Sequence, residues 1–66
     1  MILRVIEPDF KGEMYVNIND VIGIFKAEDR TVVFMKGITG KIQVSPDHLC
    51  EGDPLYQRLL QLRDNH

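Results

Sequence analysis

Four residues with metal-ligating side chains lie close together near the end of the chain, namely His48, Cys50, Glu51 and Asp53. A tetrahedral zinc site usually takes four nitrogen or sulfur ligands at patterned spacing. The sequence has no second cysteine, and its other histidine is His66, the last residue. We therefore interpret the cluster as a polar turn and predict neither a metal nor a cofactor.

The residue types of a catalytic triad also occur together, at Ser45, Asp47 and His48. Triad residues converge in space from separate parts of a chain, so near neighbours in sequence rarely form one. The glycines of segment 37–40 lack the spacing and the lysine of a phosphate-binding loop. Because no convergent acid, base or nucleophile can be named, we predict that the protein is not an enzyme.

Basic side chains suggest a second kind of chemistry, the recognition of nucleic-acid phosphates. However, the sequence contains 8 lysines and arginines and 10 acidic residues, so the net charge is −2. Acidic residues lie among the basic ones, which is typical of a solvated mixed-charge surface. If the protein does bind nucleic acid, the candidate contacts are Lys26, Arg30, Lys36 and Lys41.

Any functional surface must be positioned by residues 20–44, which contain the densest β-branched and aromatic segments. Strands are predicted over 21–25, 31–35 and 41–44, with turn-forming residues between them. We expect two successive antiparallel hairpins, the second with a loop over 37–40.

In the predicted register Phe34 lies across from Gly23, so that an aromatic ring covers the backbone of a strand glycine. The same register pairs Phe25 with Val32 and Ile22 with Met35. In the second hairpin Met35 pairs with Ile42. Side chains alternate in direction along a strand, so these pairings sort the residues onto two faces. The first face is apolar throughout and consists of Ile22, Ile24, Val33, Met35, Ile42 and Val44.

The second face is the candidate partner-binding surface, because one helix covers only one side of a sheet. An apolar patch left there would be a homodimer contact or a docking surface. The alternative is a closed barrel in which the same side chains are interior. The candidate residues are Val21, Phe25, Val32 and Phe34.

The remaining segments predict an N-terminal hairpin and a C-terminal helix. Residues 2–6 and 13–18 are expected to pair across a loop over 8–12, with Phe10 folded back on the hydrophobic rim. Asp53 followed by Pro54 is typical of a helix start.

The helix should dock on the first face through apolar ridges that include Leu59. A shorter turn that begins at Ser45 should pin Leu49 to the core. We therefore predict a single domain over 1–66, of the α+β class and mainly β. It should contain a small antiparallel sheet or partly open barrel of about five strands within 1–45, with a helix over about 54–64 packed on it.

A single cysteine suits a reducing compartment, and we predict a cytoplasmic location. No apolar segment approaches the roughly 20 residues that span a bilayer. The first residues also lack the order of a signal peptide, so we expect no membrane association.

The segments Ile18 to Ile24, Thr31 to Gly37 and Val44-Ser45, followed by a leucine stretch, resemble two bacterial families. One is the small flagellar protein FlbD, and the other is the LytTR-type DNA-binding domain. Both have an "x-D-I-x-x-I" strand, a "T-V-x-x-L-K-x-G" strand and a closing helix. The resemblance covers roughly residues 14–62 and implies a small bacterial β domain. In LytTR-type domains, basic and polar loop residues contact DNA.

We predict a small non-enzymatic interaction module, a bacterial cytoplasmic regulator or adaptor that acts through protein–protein contact or self-association. The alternative is a nucleic-acid-binding regulatory domain of the LytTR kind. The expected partner is a protein or a second copy of this chain.

Overall fold

In the part of the chain that the structure describes, five strands form one antiparallel sheet, followed by an α-helix. The computed structural model describes residues 1–64; Asn65 and His66 lie outside the described residues. The elements are β1 (Ile2–Glu7), β2 (Phe10–Tyr15), β3 (Val21–Lys26), β4 (Thr31–Met35), β5 (Ile42–Val44) and α1 (Pro54–Asp64). The strand order is β2-β1-β5-β4-β3. The predicted fold class is confirmed, and because β2 and β3 lie at opposite ends of the sheet, the described strands form an open sheet rather than a closed barrel.

The N-terminal hairpin is tighter than its sequence suggested. Glu7 pairs with Phe10, so a turn of Pro8 and Asp9 alone connects β1 to β2. The predicted loop over 8–12 is therefore wrong, because a proline-containing dipeptide is sufficient for the reversal and the following residues continue the ladder. Phe10 is a strand residue that is 56% exposed. It does not fold back on the rim.

A β-bulge near the start of β3 decides which residues enter the core. The predicted pairs Phe25–Val32 and Gly23–Phe34 are confirmed. Met35, however, pairs with Val21, so Ile22 is an extra residue in the ladder and its predicted pairing with Met35 is wrong. The extra residue of a bulge reverses the face toward which the side chains on one side of it point.

The second hairpin has a longer loop than predicted. Val33, rather than Met35, pairs with Ile42, so the loop covers residues 36–41. Gly37 and Gly40 have φ values of +82° and +100°, a region that favours glycine, and they allow this wider path. The register differs from the predicted one by two residues. An even shift keeps every side chain on its expected face.

The core lies between α1 and one face of the sheet. From the predicted apolar face, Val33, Met35, Ile42 and Val44 are buried, whereas Ile24 is half-buried. Ile22 is 59% exposed because the bulge turns it outward. The complete buried cluster consists of Leu3, Val5, Val21, Val33, Met35, Ile42, Val44 and Leu55.

The helix begins as its sequence predicts. The Asp53 carboxylate accepts a hydrogen bond from the Leu55 N–H at 2.9 Å, which satisfies a free donor of the first turn. Leu55 is fully buried. Leu59, expected in the core, is only half-buried. The helix contacts β3 and the short turns Ile18–Asp20 and Pro46–Leu49. Leu49 is also only half-buried, so its expected place in the core is wrong.

Candidate interaction surface

The sheet face that lies opposite α1 is open to solvent, and we call it the open face. Leu3 and Val5 point into the core, so strand alternation turns Ile2 and Ile6 toward the open face. On the other half of the sheet, β3 and β4 add two aromatic side chains. The apolar members of the open face are Ile2, Ile6, Phe25, Val32 and Phe34.

Two exposed phenylalanine rings lie on the open face. Phe25 is 59% exposed and Phe34 is 41% exposed. Phe34 covers Gly23 as predicted, because a methyl group added at Gly23 would lie 3.5 Å from its ring carbon Cδ2. Resting on a strand backbone, this ring has a defined position and presents apolar area at low entropic cost. Such a surface suits contact with another protein.

The four predicted partner-binding residues do not share one environment. Phe25 and Phe34 are exposed on the open face. Val32 is on the same face but only 5% exposed, since it lies between Phe25 and Gln43 in the register. Val21 is fully buried in the core, so its assignment to this face is wrong; the bulge reversed its direction.

Two open-face residues, Ile2 and Ile6, are absent from the sequence prediction. The sequence feature that could have identified them is the alternation of β1, in which Leu3 and Val5 occupy the buried positions. That alternation predicts two faces for β1. It does not say that β1 lies beside β5 and thereby extends the same open face.

The predicted nucleic-acid contacts are divided among separate places. Arg30 and Lys41 line a shallow depression of about 250 Å³, together with the acidic residues Glu7 and Asp9. Lys26 ends the edge strand β3, and Lys36 follows β4 in the loop. The structure therefore brings two of the four together and places acids beside them.

Arg30 also has a partner within its own turn. Its Nε and one terminal nitrogen donate to the two carboxylate oxygens of Asp29 at 3.3 and 3.1 Å. These hydrogen bonds, and then the attraction between the charges, hold the pKa of Asp29 below its ordinary value. The pair stabilises the fold above the ordinary pKa of the carboxyl group, and this contribution is lost as the pH falls through the lowered value. Because both groups are exposed, the effect is small.

His48 is the residue whose role the sequence concealed. It is 1% exposed, and its Nε2 lies 2.8 Å from the Arg4 backbone N–H, which can only donate. Nε2 therefore accepts, and Nδ1 carries the proton that faces an Asp53 carboxylate oxygen at 3.1 Å. The ring joins β1 to the start of α1. Its function is structural, and the only sequence signal was its position five residues before a helix cap.

Apart from the contact between His48 and Asp53, the polar turn shows no metal-binding arrangement within the described residues. Cys50 is exposed. Within residues 1–64, no group of three or more histidine, cysteine, aspartate and glutamate side chains is arranged to hold a metal ion.

The sequence matches no protein-family model, and neither a curated protein nor a solved structure is significantly similar to it. The resemblance to FlbD and LytTR-type domains therefore stays a prediction. None of the helices in the described part of the chain has the length and apolarity needed to cross a membrane.

Proposed function

We propose that this chain is a small non-enzymatic interaction module, a bacterial cytoplasmic regulator or adaptor that acts through protein–protein contact or self-association. The observation that carries the proposal is the exposure of Phe25 and Phe34 on the sheet face without a helix. Phe25 and Phe34 are diagonal neighbours on adjacent strands, and exposed apolar side chains that lie together are typical of protein-contact sites. The bacterial and regulatory parts of the proposal rest on the resemblance to FlbD and LytTR-type domains.

Aromatic residues are the side chains most often found as energetic anchors of protein interfaces. Phe25 and Phe34 occupy neighbouring strands, and Val32, opposite Phe25, fills the space beside them. Polar side chains interrupt the rest of the face, since Arg4 lies between Ile2 and Ile6 on β1 and Gln43 lies beside Val32. Mixed apolar and polar area is usual for an interface that forms and dissociates.

The test is a substitution at the centre of the open face. Phe34→Asp introduces a charge that cannot be buried against a partner but remains solvated in the free protein. The matched control is Phe10→Asp, because Phe10 is 56% exposed on β2 and lies outside the open face. Sedimentation over a range of concentrations measures self-association, and a photo-crosslinking residue at position 34 or 10 measures contact with other proteins in cell extract.

We expect Phe34→Asp to melt at nearly the same temperature as the wild type and to lose the association or the crosslinks. Phe10→Asp should keep both. The proposal is wrong if Phe34→Asp unfolds the domain, since Phe34 is then a core residue. It is also wrong if the wild type stays monomeric and positions 34 and 10 crosslink equally.

A further inference from the structure

A groove lies beside β3, at the edge of the sheet, and is separate from the open face. In the described sheet β3 is the last strand, with β4 as its neighbour. The groove runs between β3 and α1 and has a volume of about 560 Å³. Its lining includes the apolar side chains of Ile24, Leu59 and Leu62 and the cationic side chains of Lys26 and Arg63.

The backbone of β3 directs hydrogen-bonding groups toward this edge. The Ala27 N–H donates to the Arg30 carbonyl at 2.9 Å, which marks a hydrogen-bonded pair of the antiparallel ladder. Hydrogen-bonded pairs alternate with pairs that make no ladder bonds. Counting back along β3, Ile24 and Lys26 are in the second kind of pair. Their N–H and C=O groups therefore point away from β4.

The helix already occupies part of the β3 edge, which limits where another strand could pair. The Arg58 Nε donates to the Val21 carbonyl at 3.0 Å, so a helix side chain already occupies the beginning of the strand edge. Farther along, Leu59 and Leu62 are half-buried and leave apolar surface facing the groove. An added strand would therefore pair with Ile24 and Lys26 and place a side chain against the leucines.

The described residues that line the groove carry only positive charge. Lys26 and Arg63 line it, and no acidic side chain within residues 1–64 does so. Arg63 has a weak partner in Asp64, with 3.6 Å between Nε and the carboxylate and both side chains about 70% exposed. This lining complements a carboxylate. It disfavours a second copy of the chain, which would bring the same cations to both sides of the contact.

We propose that β3 and its groove bind an extended segment of a partner protein by strand addition, and that this segment carries an aliphatic and an acidic residue two positions apart. Backbone hydrogen bonds to Ile24 and Lys26 would provide affinity, as in other edge-strand complexes. The two-residue spacing follows from β3 itself, since Ile24 and Lys26 point to the same side of the strand. The aliphatic residue would contact Leu59 and Leu62, and the carboxylate would lie near Lys26.

The probe is the peptide fluorescein-Gly-Thr-Glu-Thr-Ile-Thr-Glu-Thr-Gly-amide, which offers the spacing in both chain directions, with two matched peptides as controls. One control has lysine in place of each glutamate. The other carries N-methyl groups on alternate residues, which removes the backbone N–H donors along one edge of the peptide without altering the protein. Amide hydrogen exchange measured by NMR reports where the probe binds. We expect slower exchange at the Ile24 and Lys26 amides and little change at Phe25, whose amide belongs to the existing ladder.

Lys26→Pro removes the outward N–H and the charge while leaving the ladder to β4 intact, and it should weaken binding by about tenfold or more. Lys26→Gln should weaken it less, and Phe34→Asp should leave it unchanged, which separates this site from the open face. Equal binding by Lys26→Pro or by the N-methylated peptide would overturn the proposal. Protection of the Ile24 and Lys26 amides that rises with protein concentration, without peptide, would show instead that a second copy occupies the edge.

Discussion

Individual residues illustrate how strongly a small core depends on single polar contacts. His48 is as buried as the central valines, yet both ring nitrogens have partners, the Arg4 N–H and the Asp53 carboxylate. Asp53 also accepts from the Leu55 N–H. The His48 side chain therefore links β1, the turn Pro46–Leu49 and the first turn of α1. A buried network of this kind stabilises the fold only while every member is paired.

Replacing His48 with phenylalanine should keep the volume but leave the Arg4 N–H without its acceptor, while the Asp53 carboxylate keeps only the Leu55 N–H. We expect a loss of about 1–3 kcal/mol in the free energy of unfolding, measured by chemical denaturation. His48→Gln should lose less, because its amide offers both a donor and an acceptor. Asp47→Asn, at an exposed neighbouring position, is the control and should be nearly neutral. Unchanged stability in His48→Phe would contradict the assigned role.

Two glycines should respond in opposite ways to the same substitution. Gly40 has a φ of +100°, so Gly40→Ala should cost about 1–2 kcal/mol of stability. At Gly23 a new methyl group would contact the Phe34 ring at 3.5 Å, an ordinary van der Waals distance. Gly23→Ala should therefore be neutral or gain about 0.4–1 kcal/mol through a less flexible unfolded chain. Thermal melts of both variants measure the difference, and destabilisation by Gly23→Ala would show that the strand needs glycine there.

At the scale of elements, α1 is held mainly at its beginning. Asp53 caps it, His48 supports the cap, and Leu55 inserts fully into the core. Toward its end, Leu59 and Leu62 are half-buried beside the groove. A helix of 11 residues is marginal in water, so these first-turn contacts determine whether it forms.

Leu55→Ala should therefore cost more than Leu59→Ala. A fully buried leucine typically contributes about 2–5 kcal/mol in this substitution, and we expect Leu55 to fall in that range. Leu59 should lose roughly 1 kcal/mol, in proportion to its smaller buried area. Urea denaturation of the two variants, with exposed Gln57→Ala as control, provides the comparison. Equal losses at both leucines would mean that α1 packs more evenly than its burial indicates.

At the scale of the molecule, the distribution of charge argues against a nucleic-acid surface. The net charge is −2, and only two of the four candidate basic residues, Arg30 and Lys41, lie together. Arg30 is bound by Asp29, and Glu7 and Asp9 lie beside Arg30 and Lys41. Phosphate binding requires cations on one surface without interspersed acids.

We therefore expect binding to mixed-sequence DNA or RNA no tighter than the roughly 10⁻⁴–10⁻⁶ M typical of non-specific contacts. Titrations at two salt concentrations measure it, because true phosphate binding weakens steeply as salt rises. The double variant Lys36→Glu/Lys41→Glu should behave like the wild type. Tight, salt-sensitive binding that this variant abolishes would favour the nucleic-acid alternative.

The sequence alone determined the features that depend on neighbouring residues. Alternation predicted the strands of both central hairpins, and Asp53 with Pro54 predicted where α1 begins. The pairing of Phe34 with Gly23 was also predictable, because a turn over a few residues sets that register. Each of these depends on local backbone preference and side-chain period.

Only the tertiary structure decided the features that depend on distant residues. The bulge at Ile22 places Val21 in the core, where it meets helix and sheet together. The burial of His48 depends on a hydrogen bond to Arg4, a residue 44 positions away. The insertion of β5 between β1 and β4 gives the open face its width and leaves β3 at the edge. A local pattern sets which way a side chain points from its own strand, but long-range packing determines what lies on that side.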